Sequence, residues 1–314
     1  MALMLIPNLS GGTEMSDKNT LLSKAKQRVL VLGSSGRLGS CLINSEMFGS
    51  EFELIPHSRT LKSVSNADLT DRTKTFEMLK VLEPNVIVNT VALAEIEACE
   101  KDPNRAFRAN VLTVQNLVEW ISETKKSCHL VHISTDHLYD DGGAKKEDHV
   151  KLTNYYAFSK FASELVARQV PSTVLRTNFV GKSISNFRQT FSDWFVGYTQ
   201  SDRAIEVVND IWFSPVTLQN LSSAISVACT LKPSLIANFG SRGEITKFDL
   251  CSRVLKGLNL NLEKVSSVTS EECMSYVTYR PKNMVMDSSL WESATGMACP
   301  SIDNVVSALV HEYR

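Results

Sequence analysis

The stretch VLVLGSSGRLG, residues 29–39, joins a run of apolar residues to three evenly spaced glycines. Four consecutive apolar residues predict a short β-strand that is buried on both faces. The spacing G-x-x-G-x-x-G, followed by Cys41, Leu42 and Ile43, predicts a tight turn that opens a helix, where the backbone can approach a pyrophosphate and free amides attract its charge. A glycine-rich turn that binds no ligand is the alternative. On the dinucleotide interpretation, the contacting residues are Gly33, Ser35, Gly36, Arg37, Leu38 and Gly39.

Similar apolar runs recur in the first 180 residues, at Phe52–Ile55, Val86–Asn89, Leu130–Ile133 and Thr173–Leu175. Between two of these runs, apolar side chains recur at helical spacing, at Phe107, Val111, Val114, Val118 and Ile121. Parallel strands need long crossover connections, which helices usually supply. The alternation therefore predicts an α/β fold with a doubly wound parallel sheet.

The pattern becomes less regular after about residue 180. We expect helices at Asn186–Gln200, Leu218–Thr230 and Ile302–Tyr313, and short strands at Ile205–Val208 and Leu235–Phe239. These elements predict a smaller, mixed α/β lobe. The expected organisation is a loose leader at 1–26, a dinucleotide-binding domain at 27–180 and a substrate-binding lobe at 181–314.

The composition excludes several classes of protein. The chain has 314 residues, 33 Lys+Arg against 34 Asp+Glu, and 43% hydrophobic residues, so it is neither disordered nor charged enough to suggest nucleic acid or an anionic membrane as its partner. Its seven cysteines form no C-x-x-C pair, so we expect reduced, mostly buried thiols and no metal site. No apolar run reaches the roughly 18 residues of a membrane span, and the cytoplasm is the expected location.

The residues after the second predicted strand bear on the choice of cofactor. A site for NADH usually offers Asp or Glu to the ribose 2′-hydroxyl group there, but this chain has His57-Ser58-Arg59. The guanidinium groups of Arg59 and Arg37 suit a 2′-phosphate, which a carboxylate would repel. The sequence therefore favours NADPH, with NADH as the alternative, and Ser58 and Arg59 as contacts; a solvated Arg59 without a ligand is the other interpretation.

A tyrosine and a lysine four residues apart, Tyr156 and Lys160, lie on one face of a predicted helix. A nearby ammonium group is expected to lower the pKa of a phenol and so to make it a working acid. The predicted strand before this helix ends in Ser134-Thr135, which brings hydroxyl groups to the sheet edge where open α/β folds bind ligands. Alone, each pattern also fits ordinary packing; their order along the chain favours an active site.

Together these residues resemble the extended short-chain dehydrogenase/reductase family, most closely its dTDP-4-dehydrorhamnose reductase branch, from about Arg28 to the end of the chain. The likeness rests on the motifs above and on further short segments: Asn66–Asp71, Val88–Ala92, Ala106–Asn110, Ser134–Asp136, Leu175–Thr177, Arg280–Asn283 and Asp287.

The resemblance implies a Rossmann fold with a C-terminal substrate lobe, and a role for each matching residue. Thr135, Tyr156 and Lys160 become the catalytic trio. Asn110 becomes the residue that holds a water for proton supply, although an ordinary core asparagine fits equally. Arg280 becomes a ligand of the substrate diphosphate, with a surface salt bridge as the alternative. The remaining implied cofactor contacts are Asp68, Leu69, Thr90, Val91 and Ala92.

Two departures from the branch bear on the substrate. His137 replaces the usual tyrosine after Ser-Thr-Asp, and Trp212-Phe213 precede Ser214-Pro215 where a small residue is common. Trp212 and Phe179 are the expected bulky contacts of the sugar. The resemblance implies reduction of a keto group, at C4, of a nucleotide-linked deoxy sugar, with a homodimer left open.

Two other functions stay open at this point. One is a nucleotide-sugar 4,6-dehydratase or epimerase, which generally places Asp-Glu after the catalytic threonine, where this chain has Asp136-His137. The other is a non-catalytic dinucleotide-binding subunit similar to the β subunit of methionine adenosyltransferase.

Overall fold

The computed structural model describes residues 25–59, 65–124, 127–183, 189–200, 204–273 and 275–314. Its centre is a parallel sheet with the strand order β10-β5-β4-β3-β1-β2. These strands are β1 (Gln27–Leu32), β2 (Phe52–His57), β3 (Val86–Asn89), β4 (His129–Ile133), β5 (Ser172–Arg176) and β10 (Leu235–Asn238). The α/β fold with a doubly wound parallel sheet is therefore confirmed.

Alternate side chains of each central strand enter different cores. Val29 and Val31 of β1 pack into one apolar layer, whereas Leu30 and Leu32 pack into the other. Since successive side chains of a strand point to opposite faces, an uninterrupted apolar run requires apolar cover on both sides of the sheet. The helices supply that cover.

The helices of the sheet domain lie on both faces. The first layer contains α1 (Arg37–Ile43), α2 (Glu46–Glu51), α9 (Leu218–Leu231) and α11 (Ser289–Thr295), and the second contains α3 (Arg72–Leu82), α6 (Thr113–Thr124) and α7 (Tyr155–Ala167). The short helices α4 (Ile96–Lys101) and α5 (Pro103–Phe107) precede α6.

A second apolar core belongs to the C-terminal elements. Its helices are α8 (Phe191–Gln200), α10 (Lys247–Gly257) and α12 (Ile302–Tyr313). Its strands form small sheets: β7 (Ile205–Val208) pairs with β12 (Val265–Val268), and β8 (Trp212–Phe213) lies between β11 (Ile245–Thr246) and β13 (Asn283–Met284). The strands β6 (Phe179–Val180) and β9 (Val216–Thr217) pair with each other between the parallel sheet and this C-terminal core.

The predicted elements agree with the observed ones to within a few residues, with two differences. Phe107 was expected on the buried face of the helix, but its side chain is 49% exposed. The reason is a π-helical segment, Arg108–Leu112, whose wider turn changes the helical phase between Phe107 and the buried Val111. The helix predicted from Asn186 begins at Phe191, and residues 184–188 lie outside the described part of the chain.

The division of the chain at residue 180 stays a prediction. The structure adds that β10 and α9, both beyond that position, belong to the parallel sheet and its cover: β10 pairs with β5, and α9 packs against α1 and β4 in the first layer. Residues 1–24, most of the predicted leader, lie outside the described residues.

The cysteines are all free thiols, and all but Cys41 are buried, as predicted. Within the ranges that the structure covers, no helix is long and apolar enough to span a membrane.

Candidate active site

The glycine loop lies between the carboxyl ends of β1 and β2. The backbone amides of Gly33 and Ser34 donate to the carbonyl oxygen of His57, at 3.1 and 2.9 Å, and the Ser34 hydroxyl donates to the same oxygen. Gly36 caps α1 without any side-chain hydrogen bond. The loop therefore brings the N-terminus of α1 to the carboxyl edge of the sheet, beside the change in strand order between β1 and β3, which is where open α/β sheets bind ligands.

Close packing requires glycine at two positions of this loop. Gly33 has φ +80°, and a Cβ atom there would lie 2.8 Å from Oγ1 of Thr90. A Cβ atom on Gly39 would lie 2.2 Å from the carbonyl oxygen of Gly33. Thr90 itself donates to the carbonyl oxygen of Leu32 at 2.7 Å, so the residues after β3 lie directly against the loop. The predicted cofactor contacts Thr90, Val91 and Ala92 thus lie at the same edge as the glycines.

Hydroxyl groups from β1 and β2 meet beside the loop. The Ser58 hydroxyl donates to that of Ser35 at 2.8 Å. Arg59 lies near Asp68, whose pKa is lowered first by the backbone amide of Thr70 and also by the charge of Arg59. The predicted contacts Ser35, Ser58, Arg59 and Asp68 are therefore brought together. Leu69, next to Asp68, is buried, and its carbonyl oxygen accepts a hydrogen bond from Asn116.

Arg37 has different neighbours from Arg59. Its Nη1 donates to the carbonyl oxygen of Gln189 at 3.0 Å, and its guanidinium carbon lies 5.9 Å from the centre of the Phe179 ring. Its positive charge also reaches Tyr156, where it lowers the pKa of the phenol. Arg37 therefore extends towards the predicted catalytic residues, and its pairing with Arg59 around one phosphate stays a prediction.

The predicted trio meets at the end of β4. Asn154 caps α7 by accepting a hydrogen bond from the Ala157 amide at 2.8 Å, which fixes the start of the helix that carries Tyr156 and Lys160. Nζ of Lys160 donates to the carbonyl oxygen of Ile133 at 2.7 Å, and the Thr135 hydroxyl interacts with the Tyr156 phenol. Two elements far apart in sequence thus place an amine, a phenol and a hydroxyl in one site.

The pKa of Tyr156 differs from the sequence expectation. Burial raises it to about 12; the Thr135 hydroxyl opposes the shift and the charge of Asp136 adds to it. Burial also lowers the pKa of Lys160 to about 8, against the opposing charge of Glu164. The expected lowering of the phenol pKa is therefore wrong for this geometry, because loss of solvent outweighs the Thr135 hydroxyl and the charge of Arg37, while the ammonium group of Lys160 is bound to Ile133. Tyr156 keeps its proton at neutral pH, as a proton donor must.

Asp136 is a third titratable group in the site. It is 1% exposed, and burial raises its pKa to about 7 in spite of a 2.7 Å hydrogen bond from the Asn178 amide. Thr135 also donates weakly to it, at 3.4 Å. Asp136 follows Thr135 directly, so this carboxyl group changes its charge near neutral pH within contact of the trio.

His137 packs its ring against Tyr156, the predicted catalytic tyrosine. The ring centres of His137 and Tyr156 are 5.5 Å apart at an interplanar angle of 79°. Burial, together with the charges of Lys247 and Arg280, lowers the pKa of His137 to about 3. Its Nδ1 is buried and has no hydrogen-bond partner among the residues that the structure covers. The imidazole is thus neutral, and it forms a wall of the site.

A buried ion pair supports the site from behind. Glu164 of α7 pairs with Arg176 at the end of β5 at 2.7 Å, and both side chains are at most 2% exposed. Ser134 donates to Glu164 at 2.5 Å, and Arg176 donates to the Tyr139 hydroxyl at 2.8 Å. Ser134 therefore has a structural role, whereas the hydroxyl group of Thr135, the next residue, interacts with Tyr156. This ion pair joins α7 to β5 and so holds Tyr156 and Lys160 in position relative to the sheet.

Asn110 lies in the π-helical segment and is 1% exposed. Its Oδ1 accepts from the Leu93 amide at 2.7 Å, and its Nδ2 donates to Ser159 of α7 at 2.8 Å and to the Leu93 carbonyl oxygen at 3.1 Å. These contacts fit a core asparagine that joins the segment to the catalytic helix. Its role in holding a water stays a prediction.

The expected substrate contacts lie in different surroundings. Arg280 pairs with Glu97, and its guanidinium carbon lies 5.1 Å from the Tyr276 ring centre; its side chain is only 13% exposed, which is not a surface position. Phe179 lies on β6 beside Arg37, and Trp212 lies on β8 with 38% of its side chain exposed.

Three residues of this region have no counterpart in the sequence prediction. Asn178 and Lys247 act on Asp136, and Tyr276 lies between Lys247 and Arg280. No motif marks them, since each is brought to the site by the tertiary fold from a different element.

Comparison with known proteins agrees with this architecture. Residues 27–314 match the family model described as the RmlD substrate binding domain. The chain belongs to this family. The predicted likeness to the dTDP-4-dehydrorhamnose reductases is thereby confirmed at the level of the family.

Individual members of the RmlD family are distant in sequence. The spore coat polysaccharide biosynthesis protein SpsK of Bacillus subtilis is 24% identical over 85% of this chain and 91% of its own. The dTDP-4-keto-6-deoxy-D-glucose reductase of Streptomyces niveus is 25% identical over 85% and 91%. A crystal structure of dTDP-4-dehydrorhamnose reductase from Bacillus anthracis in complex with NADP superposes with a TM-score of 0.82 at 21% identity, covering 91% of this chain and 99% of that one.

Proposed function

We propose that the protein reduces a keto group of a nucleotide-linked sugar, with NADPH as the reductant. The observation that carries the proposal is the meeting of Thr135, Tyr156 and Lys160 at the end of β4, on the same sheet edge as the glycine loop. A protonated phenol beside a hydroxyl group is suited to hold and protonate a carbonyl oxygen.

The residues at this edge fit a dinucleotide. Glycine at positions 33 and 39 leaves room that any Cβ atom would close, and Gly36 leaves the first amides of α1 without a side-chain cap. Ser35, Ser58 and Arg59 would hold the adenosine ribose and its 2′-phosphate, and Thr90 to Ala92 would line the cofactor. When bound, the cofactor supplies the hydride.

Thr135, Tyr156 and Lys160 have different roles in the reaction. Thr135 holds the substrate oxygen by a hydrogen bond, and Tyr156 donates a proton to it as negative charge develops there. Lys160, which is positively charged below its pKa of about 8, binds the ribose next to the nicotinamide and stabilises the phenolate that remains. Because its pKa is high, Tyr156 is protonated at neutral pH and can donate this proton.

The substrate class follows from the family and the charges of the site. Relatives of known activity act on dTDP-linked 4-keto sugars, which supports C4 as the carbonyl that is reduced. Arg280 would contact the diphosphate, and Phe179 and Trp212 would limit the size of the sugar. Bulk at Trp212 favours a sugar other than rhamnose.

The alternative of a 4,6-dehydratase or epimerase has less support. Elimination needs a base next to the acid, and the residue after Asp136 is His137, whose pKa of about 3 makes it a poor proton acceptor. Nothing in the contacts of the site favours the second alternative, a non-catalytic dinucleotide-binding subunit.

The proposal is tested with purified protein and a panel of dTDP-, UDP- and GDP-linked 4-keto sugars, by the consumption of NADPH. We expect turnover with at least one member. Binding of NADPH without consumption on any member would support a regulatory subunit, and tightly retained NAD with release of water from a nucleotide-linked hexose would support a dehydratase.

A further inference from the structure

Lys247, the first residue of α10, directs its amine into the region of the site beyond His137. Its backbone amide is fixed by the carbonyl oxygen of Ile211, at 3.2 Å. Its half-buried side chain donates from Nζ to the Tyr276 hydroxyl at 3.1 Å, and Nζ lies 5.4 Å from the Tyr276 ring centre and 5.8 Å from that of Phe191. Two aromatic rings thus hold the ammonium group in place without neutralising its charge.

A second cation shares the same ring. The guanidinium carbon of Arg280 lies 5.1 Å from the centre of Tyr276, and the charges of Lys247 and Arg280 both act on His137. Like charges held around one aromatic side chain repel each other, and an anion bound between them relieves that repulsion.

The nearby carboxylates balance one of these charges but not the other. Glu97 pairs with Arg280. Among the described residues no carboxylate lies within salt-bridge distance of Lys247, whose hydrogen-bond partner is the hydroxyl group of Tyr276. Asp136 is its acidic neighbour, and burial raises the pKa of that carboxyl group to about 7, which weakens it as a counter-charge. Positive charge is therefore left over at a half-buried position next to the residue that follows Thr135.

We propose that Lys247, beside Arg280, binds an anionic group of the substrate on the side of the site that adjoins Asp136 and His137. This inference rests on the proposed function. A nucleotide-linked sugar has two groups of this chemistry: the phosphate attached to the sugar, and a carboxylate on the ring if the sugar is a uronic acid. Lys247 is then a specificity-determining residue that no sequence motif marks.

The experiment measures binding, so it does not depend on turnover. Isothermal titration of the full chain with dTDP, UDP, UDP-glucose and UDP-glucuronate compares wild type with Lys247→Met, which keeps the length and apolar stem of the side chain. Lys247→Arg keeps the charge and is expected to retain most of the affinity. Lys282→Met is the matched control, because Lys282 lies two residues from Arg280 and is already paired with Asp210 and Glu271.

We expect Lys247→Met to weaken binding by about tenfold or more, the effect of one charge-assisted hydrogen bond, and Lys282→Met to have little effect. An equal loss for all four probes identifies the phosphate. A loss confined to UDP-glucuronate identifies a sugar carboxylate. If Lys247→Met binds every probe as wild type does, the inference fails and the proposed function stands. If wild type binds none of them, the inference fails, and the proposed function is decided by the consumption of NADPH on the wider panel.

Discussion

Lys160 donates its hydrogen bond to the carbonyl oxygen of Ile133, the last residue of β4, across 2.7 Å. This bond joins the catalytic helix to the strand that carries Thr135 two residues later. The amine is 2% exposed, so its charge is buried with one neutral partner and with the carboxylate of Glu164 one helical turn away. The position of the phenol and the cost of the buried charge therefore depend on the same contact.

The buried amine predicts how stability depends on pH. The pKa of Lys160 is about 8 in the folded protein and ordinarily 10.5. Between these values the unfolded chain binds more protons than the folded one, so stability rises with pH in that window. Relative to Lys160→Met, wild type should gain about 3 kcal/mol across it. Urea unfolding of both proteins at pH values on either side measures the gain, and a constant difference between them would contradict the assignment.

Tyr156→Phe is expected to lower kcat by about 10²-fold or more, because it removes the proton donor while keeping the ring. Binding of NADPH should stay close to wild type. The adjacent Tyr155→Phe is the matched control, since Tyr155 lies on the same helix with 48% of its side chain exposed. Steady-state kinetics on an accepted keto sugar, with NADPH titration by fluorescence, separates the two effects; near-normal turnover of Tyr156→Phe rules out the proposed proton transfer.

Asp136 predicts an inflection in the pH profile of kcat/KM. Its carboxyl group is neutral below a pKa of about 7 and negative above it. Ionisation adds negative charge beside Thr135, where the reacting oxygen becomes negative, so kcat/KM should fall as pH rises through about 7. Asp136→Asn should remove the inflection and keep the hydrogen bond with Asn178 in modified form. An unchanged profile in this variant would assign the inflection to another group.

Arg59→Ala is expected to lower the affinity for NADPH by about tenfold and leave that for NADH unchanged, because only NADPH has a 2′-phosphate to pair with the guanidinium group. Arg28→Ala serves as the control: Arg28 lies on the neighbouring strand and pairs with Glu53 at the surface. Equal loss of both cofactors in Arg59→Ala would mean that Arg59 has a structural role.

Gly39→Ala is expected to destabilise the protein by about 1–3 kcal/mol, the usual cost of overpacking, because its Cβ atom would lie 2.2 Å from the Gly33 carbonyl oxygen. It should also weaken dinucleotide binding. Gly197→Ala is the contrasting variant, since its Cβ atom meets nothing within 4 Å in α8, and there alanine should stabilise by about 0.5–1 kcal/mol. Thermal unfolding of both variants measures the difference in sign.

Local pattern was sufficient to predict the parallel sheet and most of the trio's surroundings. Runs such as Val86–Asn89 are apolar on both faces, which only a covered strand explains, and the order of glycine loop, Thr135 and Tyr156 fixed their common edge. The spacing of Tyr156 and Lys160 likewise predicted that both side chains face one way.

The properties that depend on burial could not be predicted from the sequence. The direction of the Tyr156 pKa shift is set by how much water the fold removes, and the spacing of two residues carries no information about that. The exposure of Phe107 depends on a π-helical turn, and Lys247 reaches the site because α10 packs beside β7, far away in sequence from Thr135. These are tertiary effects on residues that look ordinary in isolation.

The position of β10 beside β5 has a consequence for dividing this chain. Along the chain, β5 and β10 are separated by β6 to β9 and by α9. Helix α9 covers one apolar face of the sheet. A fragment that stops near residue 180 would expose the amides of β5 as an open edge above an uncovered hydrophobic surface, which invites association with a second chain. Swapping the C-terminal half for that of a relative therefore requires the donor's own β10 and α9 to match the recipient's β5, strand for strand.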